Sequence, residues 1–134
     1  MTSSNLDHFN AKLVAALPDK GPVVMANLVK FRERSLDGDG SGWDAYQRYS
    51  NAVIKLIKGY GGTILWAGDV EGVSLGVPAD HDWDYLVLVQ YPSRADFVAM
   101  VTSDAYAEAN VHRLNGAADH IILATTETYS KLKR

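Results

Sequence analysis

Two strand–helix–strand patterns follow one another along this chain, and their strand segments are apolar at nearly every position. The first runs from Val23–Val29 through a helical period near Trp43–Tyr60 to Thr63–Ala67. The second runs from Tyr85–Val89 through Ser93–Leu114 to His120–Ala124. Between Trp43 and Tyr60 the apolar positions Tyr46, Tyr49, Val53, Leu56, Ile57 and Tyr60 recur at helical spacing, so they share one face. Ser41 with Asp44 predicts a capping box at the start of that helix. Gly59, Gly61 and Gly62 predict a left-handed turn at its end. Ser93 with Asp96 caps the second helical stretch, and Ser103-Asp104 predicts a break into two pieces. Ahead of the first strand, residues 5–17 carry Leu6, Phe9, Leu13, Ala16 and Leu17 on one stripe. They predict a short amino-terminal helix, stopped by Pro18 and Gly21. The polar, glycine-rich segment Arg32–Gly42 reads as a mobile loop.

Side chains alternate between the two faces of a strand. The first strand therefore offers Val24, Ala26 and Leu28 to one side, and Val23, Met25 and Val29 to the other. Strands three and four are apolar on both sides in the same way, whereas a sheet with one wet face would alternate with polar residues. Two helices cover one face of four strands and leave the other bare. Four strands of about six residues present roughly 400 Å² per face. Leaving that area wet forgoes on the order of 10 kcal/mol per subunit before association costs. A second copy of the chain is the most economical cover, and the short amino-terminal helix is the alternative. Right-handed crossovers make the two units an α+β, antiparallel four-stranded β-α-β-β-α-β sheet of ferredoxin type. Two such sheets packed face to face form a barrel across the dimer axis.

Composition narrows the partners more than the fold. At 134 residues the chain reads as a single domain, 1–134, with a core over 22–127. Its 47% hydrophobic and 22% charged residues are ordinary for a globular protein. A net charge of −3 argues against nucleic acid, whose phosphates demand a surplus of Lys and Arg. Cysteine is absent, which removes disulfides and thiolate chemistry. No basic leader and no long apolar run is present, so neither a membrane nor secretion is expected, and a cytoplasmic location is the default.

The motifs resemble the domain-of-unknown-function family thirteen-thirty, within the dimeric α/β-barrel superfamily. The matching stretches are Asn27-Leu28-Val29-Lys30-Phe31-Arg32, Trp43-Asp44-Ala45-Tyr46 with Tyr49, and Gly61-Gly62 with Leu65-Trp66 and Gly68. They continue through Trp83-Asp84, Tyr91-Pro92-Ser93-Arg94, Phe97, Met100, Ser103, Tyr106 and His112-Arg113, spanning most of 23–126. The resemblance implies the ferredoxin-like fold and a homodimer, but no activity. A looser resemblance, to haem-degrading and antibiotic-biosynthesis monooxygenases, places Asn27 at their strand-one asparagine. Met100 stands where those enzymes carry a tryptophan, and Asn110 where they carry a histidine. His112 is two residues further on and about 200° around the helix, so haem degradation is not expected.

Among candidate chemical groups, Asn27 interrupts an apolar strand, and a buried amide must find hydrogen bonds from protein or from ligand. Arg113 shares a helix face with Tyr106 and Ala109, which fits an inward anion anchor. His112 beside it suits proton transfer near neutral pH. The plainer reading is a helix-terminal pair favoured by the helix dipole. Tyr46, Tyr49, Trp66 and Tyr91 are candidate pocket walls, because repeated tyrosine in place of phenylalanine suits half-polar surfaces. Equally, an aromatic stripe at helical spacing is plain core. Asp119-His120 reads as a strand-entry pair, since neighbours in a strand face opposite ways. Asp37-Gly38-Asp39-Gly40-Ser41-Gly42 starts like a calcium loop but has Arg48 where the bidentate glutamate belongs. No metal site and no cofactor is expected.

These features predict a homodimeric small-molecule-binding protein. In its enzymatic form it would be a cofactor-free isomerase or monooxygenase acting on a small apolar or aromatic acid. Arg113 would then hold the anion, His112 move a proton, and Asn27 stabilise developing negative charge. The alternative is a non-catalytic binding or interaction module with a fully packed core.

Overall fold

The computed structural model describes residues 9–16, 19 and 21–132. Its elements are α1 (Ala11–Ala16), β1 (Val23–Phe31), α2 (Gly42–Gly59), β2 (Thr63–Asp69), β3 (Tyr85–Tyr91), α3 (Arg94–Val101), α4 (Asp104–Gly116) and β4 (Ala117–Thr125). The strands form one sheet in the order β2-β3-β1-β4, and every neighbouring pair is antiparallel. Each helical crossover thus skips one strand, which is the ferredoxin-like α+β arrangement expected from the pattern.

The helix ends follow their local chemistry. Ser41 Oγ accepts from the Asp44 amide at 3.0 Å and Asp44 accepts from the Ser41 amide at 2.9 Å, a closed capping box. At the far end Gly61 takes φ +81° and the Gly62 amide reaches back to the Ile57 carbonyl at 2.7 Å. Ser93 caps α3, and Ser103 caps α4 through the Tyr106 amide, so the second helical stretch is broken where Ser103-Asp104 predicted. The amino-terminal helix is described only over Ala11–Ala16; residues 5–8 and 17, with Leu6 and Leu17, lie outside the described residues. Its expected stripe is corrected in part: Leu13 and Ala16 face solvent, while Phe9 and Val14 pack on the core. The loop after β1 also departs from expectation. The Arg32 and Leu36 amides donate to Gly116 and Asn115, and Arg48 ties Asp37 and the Asp39 carbonyl, so this segment is strapped to α4 and α2.

Helices α2, α3 and α4 pack on one face of the sheet. Val23, Met25 and Val29 of β1 and Val89 and Tyr91 of β3 are buried against Tyr46, Tyr49, Val53 and Ile57 of α2 and Tyr106 of α4. The two long helices approach closely at Gly42 and Gly116. A methyl at Gly42 would overlap the Arg32 carbonyl and lie 2.7 Å from the Gly116 carbonyl. The opposite face of the sheet carries Val24, Ala26, Leu28, Leu86 and Leu88, none fully buried. It also carries Trp66, Ile121 and Leu123, exposed by 45%, 40% and 52%. Among the described residues no helix is long and apolar enough to cross a membrane.

Gly42→Ala should therefore lower stability by about 1–3 kcal/mol, because rigid backbone on both sides cannot yield. Gly59→Ala, in the same helix with nothing within 4 Å, should be neutral or stabilise by up to about 1 kcal/mol. Urea midpoints at unchanged slope measure both.

Candidate functional site

Between sheet and helices lies a cavity of about 220 Å³. An apolar cavity of about 150 Å³ holds a benzene molecule, so this one is large enough for a ring with a few substituent atoms. Its lining changes character along α2. Tyr46 and Tyr49, from the first turns, meet Tyr85 and Tyr106 at one end, with ring centroids 5.4–6.1 Å apart between neighbours. Val53, Ile54 and Ile57, from later turns, meet Ile64 and Val89 at the other. Phe9 closes one wall, packed edge-on to Phe97 and Tyr106. Among the described residues no side chain of Asp, Glu, Lys, Arg or His lines the space.

The tyrosine end has unused hydrogen-bonding capacity. Tyr49 and Tyr106 hydroxyls share one bond of 2.9 Å, which consumes one of their two protons. The Tyr46 hydroxyl, on a side chain only 5% exposed, makes no hydrogen bond among the described residues. Burial raises the pKa of Tyr46, Tyr49, Tyr91 and Tyr106 above the ordinary phenol value. The Arg113 charge pulls three of them, Tyr46, Tyr49 and Tyr106, the other way but does not prevail. These phenols keep their protons and remain donors. Tyr91 is spent differently, its hydroxyl 3.8 Å from Met100 Sδ.

A buried polar chain runs behind this end. Arg113, 2% exposed, donates from Nε to Asn110 Oδ1 at 2.6 Å and stands 5.3 Å over the Phe9 ring. Its Nη1 lies 3.1 Å from His120 Nδ1, and His120 Nε2 lies 3.0 Å from Asn27 Oδ1. Guanidinium nitrogens only donate, so Nδ1 carries the lone pair and the proton sits on Nε2, pointing at Asn27. That assignment turns the Asn27 amide toward the Met25 and Val87 carbonyls, to which it donates at 3.1 and 3.3 Å. Burial first, and then the Arg113 charge, push the His120 pKa from 6.5 down to about 3.

The candidate residues read from the sequence separate into three groups. Tyr46, Tyr49, Tyr91 and Asn27 line the cavity. Arg113 faces inward as its spacing implied, but it lies behind Tyr106 and Phe9 and is engaged with His120 and Asn110. Trp66 and His112 are elsewhere. Trp66 pairs with Leu88 on the outer sheet face, because the irregularity between Ile64 and Trp66 turns Ile64 and Ala67, not Trp66, toward the cavity. His112 is half-buried on α4, about 100° around the helix from Arg113. Its enclosed Nδ1 has no hydrogen-bond partner among the described residues. The residue that sequence reasoning passed over is His120. Two strand positions before Ile122, which pairs with Asn27, it shares the inner face, a relation visible only once β1 and β4 are registered. Among the described residues no group of three His, Asp or Glu side chains could hold a metal ion; Asp82 and Asp84 pair with Lys30.

Fold and cavity together define a ferredoxin-like α+β protein with room for a small molecule beneath its helices. The chain belongs to the family described as Domain of unknown function (DUF1330), which matches residues 41–126. Its structure is similar to RPA0582, a protein of unknown function from Rhodopseudomonas palustris, at 28% identity and TM-score 0.84 over 96% of this chain and 100% of that one. The fold alone is shared with a dimeric ferredoxin-like protein of unknown function from Thermobifida fusca, at 14% identity and TM-score 0.53 over 80% and 92% of the two chains. It is also shared with the hydroxynitrile lyase from Passiflora edulis, at 13% identity and TM-score 0.58 over 81% and 97%. No curated protein matches the sequence.

The His120 environment has a measurable consequence. The unfolded chain takes up a proton at this residue below about pH 6.5 and the folded chain only near 3. Stability should therefore fall with acidification across that window, by up to about 1.4 kcal/mol per pH unit from this residue. In urea titrations stability should fall more steeply with acidification for the wild type than for His120→Gln between about pH 4 and 6.5, since the carboxylates are common to both proteins.

Proposed function

We propose that this protein is a homodimer in which each subunit binds one small, mainly apolar molecule between its sheet and helices. The observation that carries the reading is the cavity itself, walled largely by hydrocarbon and lined at one end by the buried Tyr46, whose hydroxyl has no hydrogen-bond partner among the described residues. A buried polar group left alone costs free energy, and a ligand oxygen placed there recovers it. A fully packed core would have filled this volume at little sequence cost, for instance with larger apolar side chains at Val53, Val87 or Val89.

The dimer rests on the outer sheet face. Trp66, Ile121 and Leu123 stand exposed on it among half-buried leucines, and a contiguous apolar sheet face of this kind marks an interface. A second copy presents the same patch, so a two-fold arrangement buries both at once. The Thermobifida fusca neighbour, described as dimeric, has the same fold.

Binding is better supported than proton transfer. His120 is held neutral with both ring nitrogens engaged, and both Asn27 amide protons go to carbonyls. His112 lies off the cavity lining. Catalysis by the neutral polar chain would need the ligand to bring its own reactivity.

Thermal-shift and ligand-observed NMR screening with one-ring compounds should yield stabilisers. At a hundredfold excess over Kd the expected gain is about 2.7 kcal/mol. Val53→Phe, which pushes a ring into the cavity, should abolish the shift while the protein stays folded. A wide library without a single stabiliser rejects the binding reading. Light scattering should give a dimer for the wild type and a monomer for the double variant Trp66→Glu, Leu123→Lys; a wild-type monomer rejects the assembly.

A further inference from the structure

We propose that the cavity selects an uncharged one-ring molecule carrying a hydrogen-bond-accepting oxygen, such as a ketone or aldehyde carbonyl, in preference to the corresponding carboxylate. This deepens the binding reading above and rests on it. The sequence alone pointed to an acid held by Arg113, and the geometry points away from it.

Three observations carry the inference. Among the described residues the lining contains no cationic side chain, so a carboxylate would enter without a direct counter-ion from them. Arg113 is not part of that lining and is engaged with Asn110, His120 and the Tyr106 side chain. Removing a carboxylate from water into such a site costs far more than removing a carbonyl. The third observation is the number and kind of donors. Tyr46 offers one O–H, the Tyr49–Tyr106 pair leaves one more whichever of the two donates, and Ser50 and Tyr85 of the same lining carry a hydroxyl each. Neutral O–H donors suffice for the two lone pairs of a carbonyl oxygen. They leave the charge of a carboxylate uncompensated.

The tyrosines themselves report what a negative charge meets at this end. Each phenolate would place an anion beside the cavity, and in Tyr46, Tyr49 and Tyr106 burial outweighs the pull of Arg113. A ligand anion at the same place faces the same balance. The remaining volume suits the ring, which would lie against Val53, Ile57, Ile64 and Val89.

The test compares three probes of one size on the full-length protein: acetophenone, benzoate and ethylbenzene, by titration calorimetry or NMR line shape. Where benzoate is fully ionised, acetophenone should bind at least about tenfold more tightly than benzoate. It should also exceed ethylbenzene, by about threefold to tenfold for a net neutral hydrogen bond. Tyr46→Phe, which keeps the ring and removes the hydroxyl, should cost acetophenone that advantage and leave ethylbenzene unchanged. Lowering the pH until benzoate protonates should raise its affinity. Benzoate binding as tightly as acetophenone overturns the inference, and so does a Tyr46→Phe loss equal for acetophenone and ethylbenzene. In either case the binding reading stands, because a ring has bound. If none of the three binds while the wide library yields stabilisers, this inference fails alone; if the library is empty too, the binding reading fails with it.

Discussion

Burying Arg113 is the demand around which the interior is organised. A guanidinium 2% exposed to solvent keeps its hydration shell only in the form of protein acceptors. Asn110 supplies one from the same helix, a turn away, and His120 supplies another from β4. His120 can accept only while neutral, and burial holds it neutral down to about pH 3. The proton left on its far nitrogen needs an acceptor in turn, and that is the Asn27 carbonyl oxygen. One charge thus dictates the tautomer of a histidine and the orientation of an amide across α4, β4 and β1.

The same chain marks where the core stops being hydrocarbon. Beyond it stand Tyr49 and Tyr106, bonded to each other, and Tyr46, whose hydroxyl has no hydrogen-bond partner among the described residues. Phenol rings pack as phenylalanine does, but their hydroxyls call for polar partners. Phe9, Phe31 and Trp43 brace this cluster through ring contacts, Phe9 edge-on to Tyr106, Phe31 tilted against Tyr46 and Trp43 stacked on Tyr46. The sheet accordingly divides its labour. Its inner face holds the polar chain and the cavity, and its outer face carries aliphatic side chains with Trp66 laid across Gly68.

How much of this could be read beforehand varied with the range of the determining contacts. The capping box at Ser41, the glycine turn at Gly61 and the break before Ser103 are set by neighbours within a few residues, and each stands where its motif placed it. Strand sidedness followed from alternation alone for β1 and β3. Alternation failed for Trp66, because one irregularity in the β2–β3 register reverses the face of everything beyond it. For His120 alternation gives the right face, that of Ile122, but not its partners there, Asn27 and Arg113, 93 and 7 positions away. The segment Arg32–Gly42 looked mobile from its composition, and carbonyls at the end of α4 hold it instead.

Periodicity and local capping therefore determined the elements, their order and the apolar character of both sheet faces, since these depend on spacings the chain carries within itself. Tertiary structure alone decided which tyrosines face a common space, which histidine meets Asn27, and that the buried cation is spent inside the protein. Such facts depend on the register between strands and on the packing angle of two helices. No short stretch of residues encodes either, because both emerge only when distant segments compete to fill the same volume.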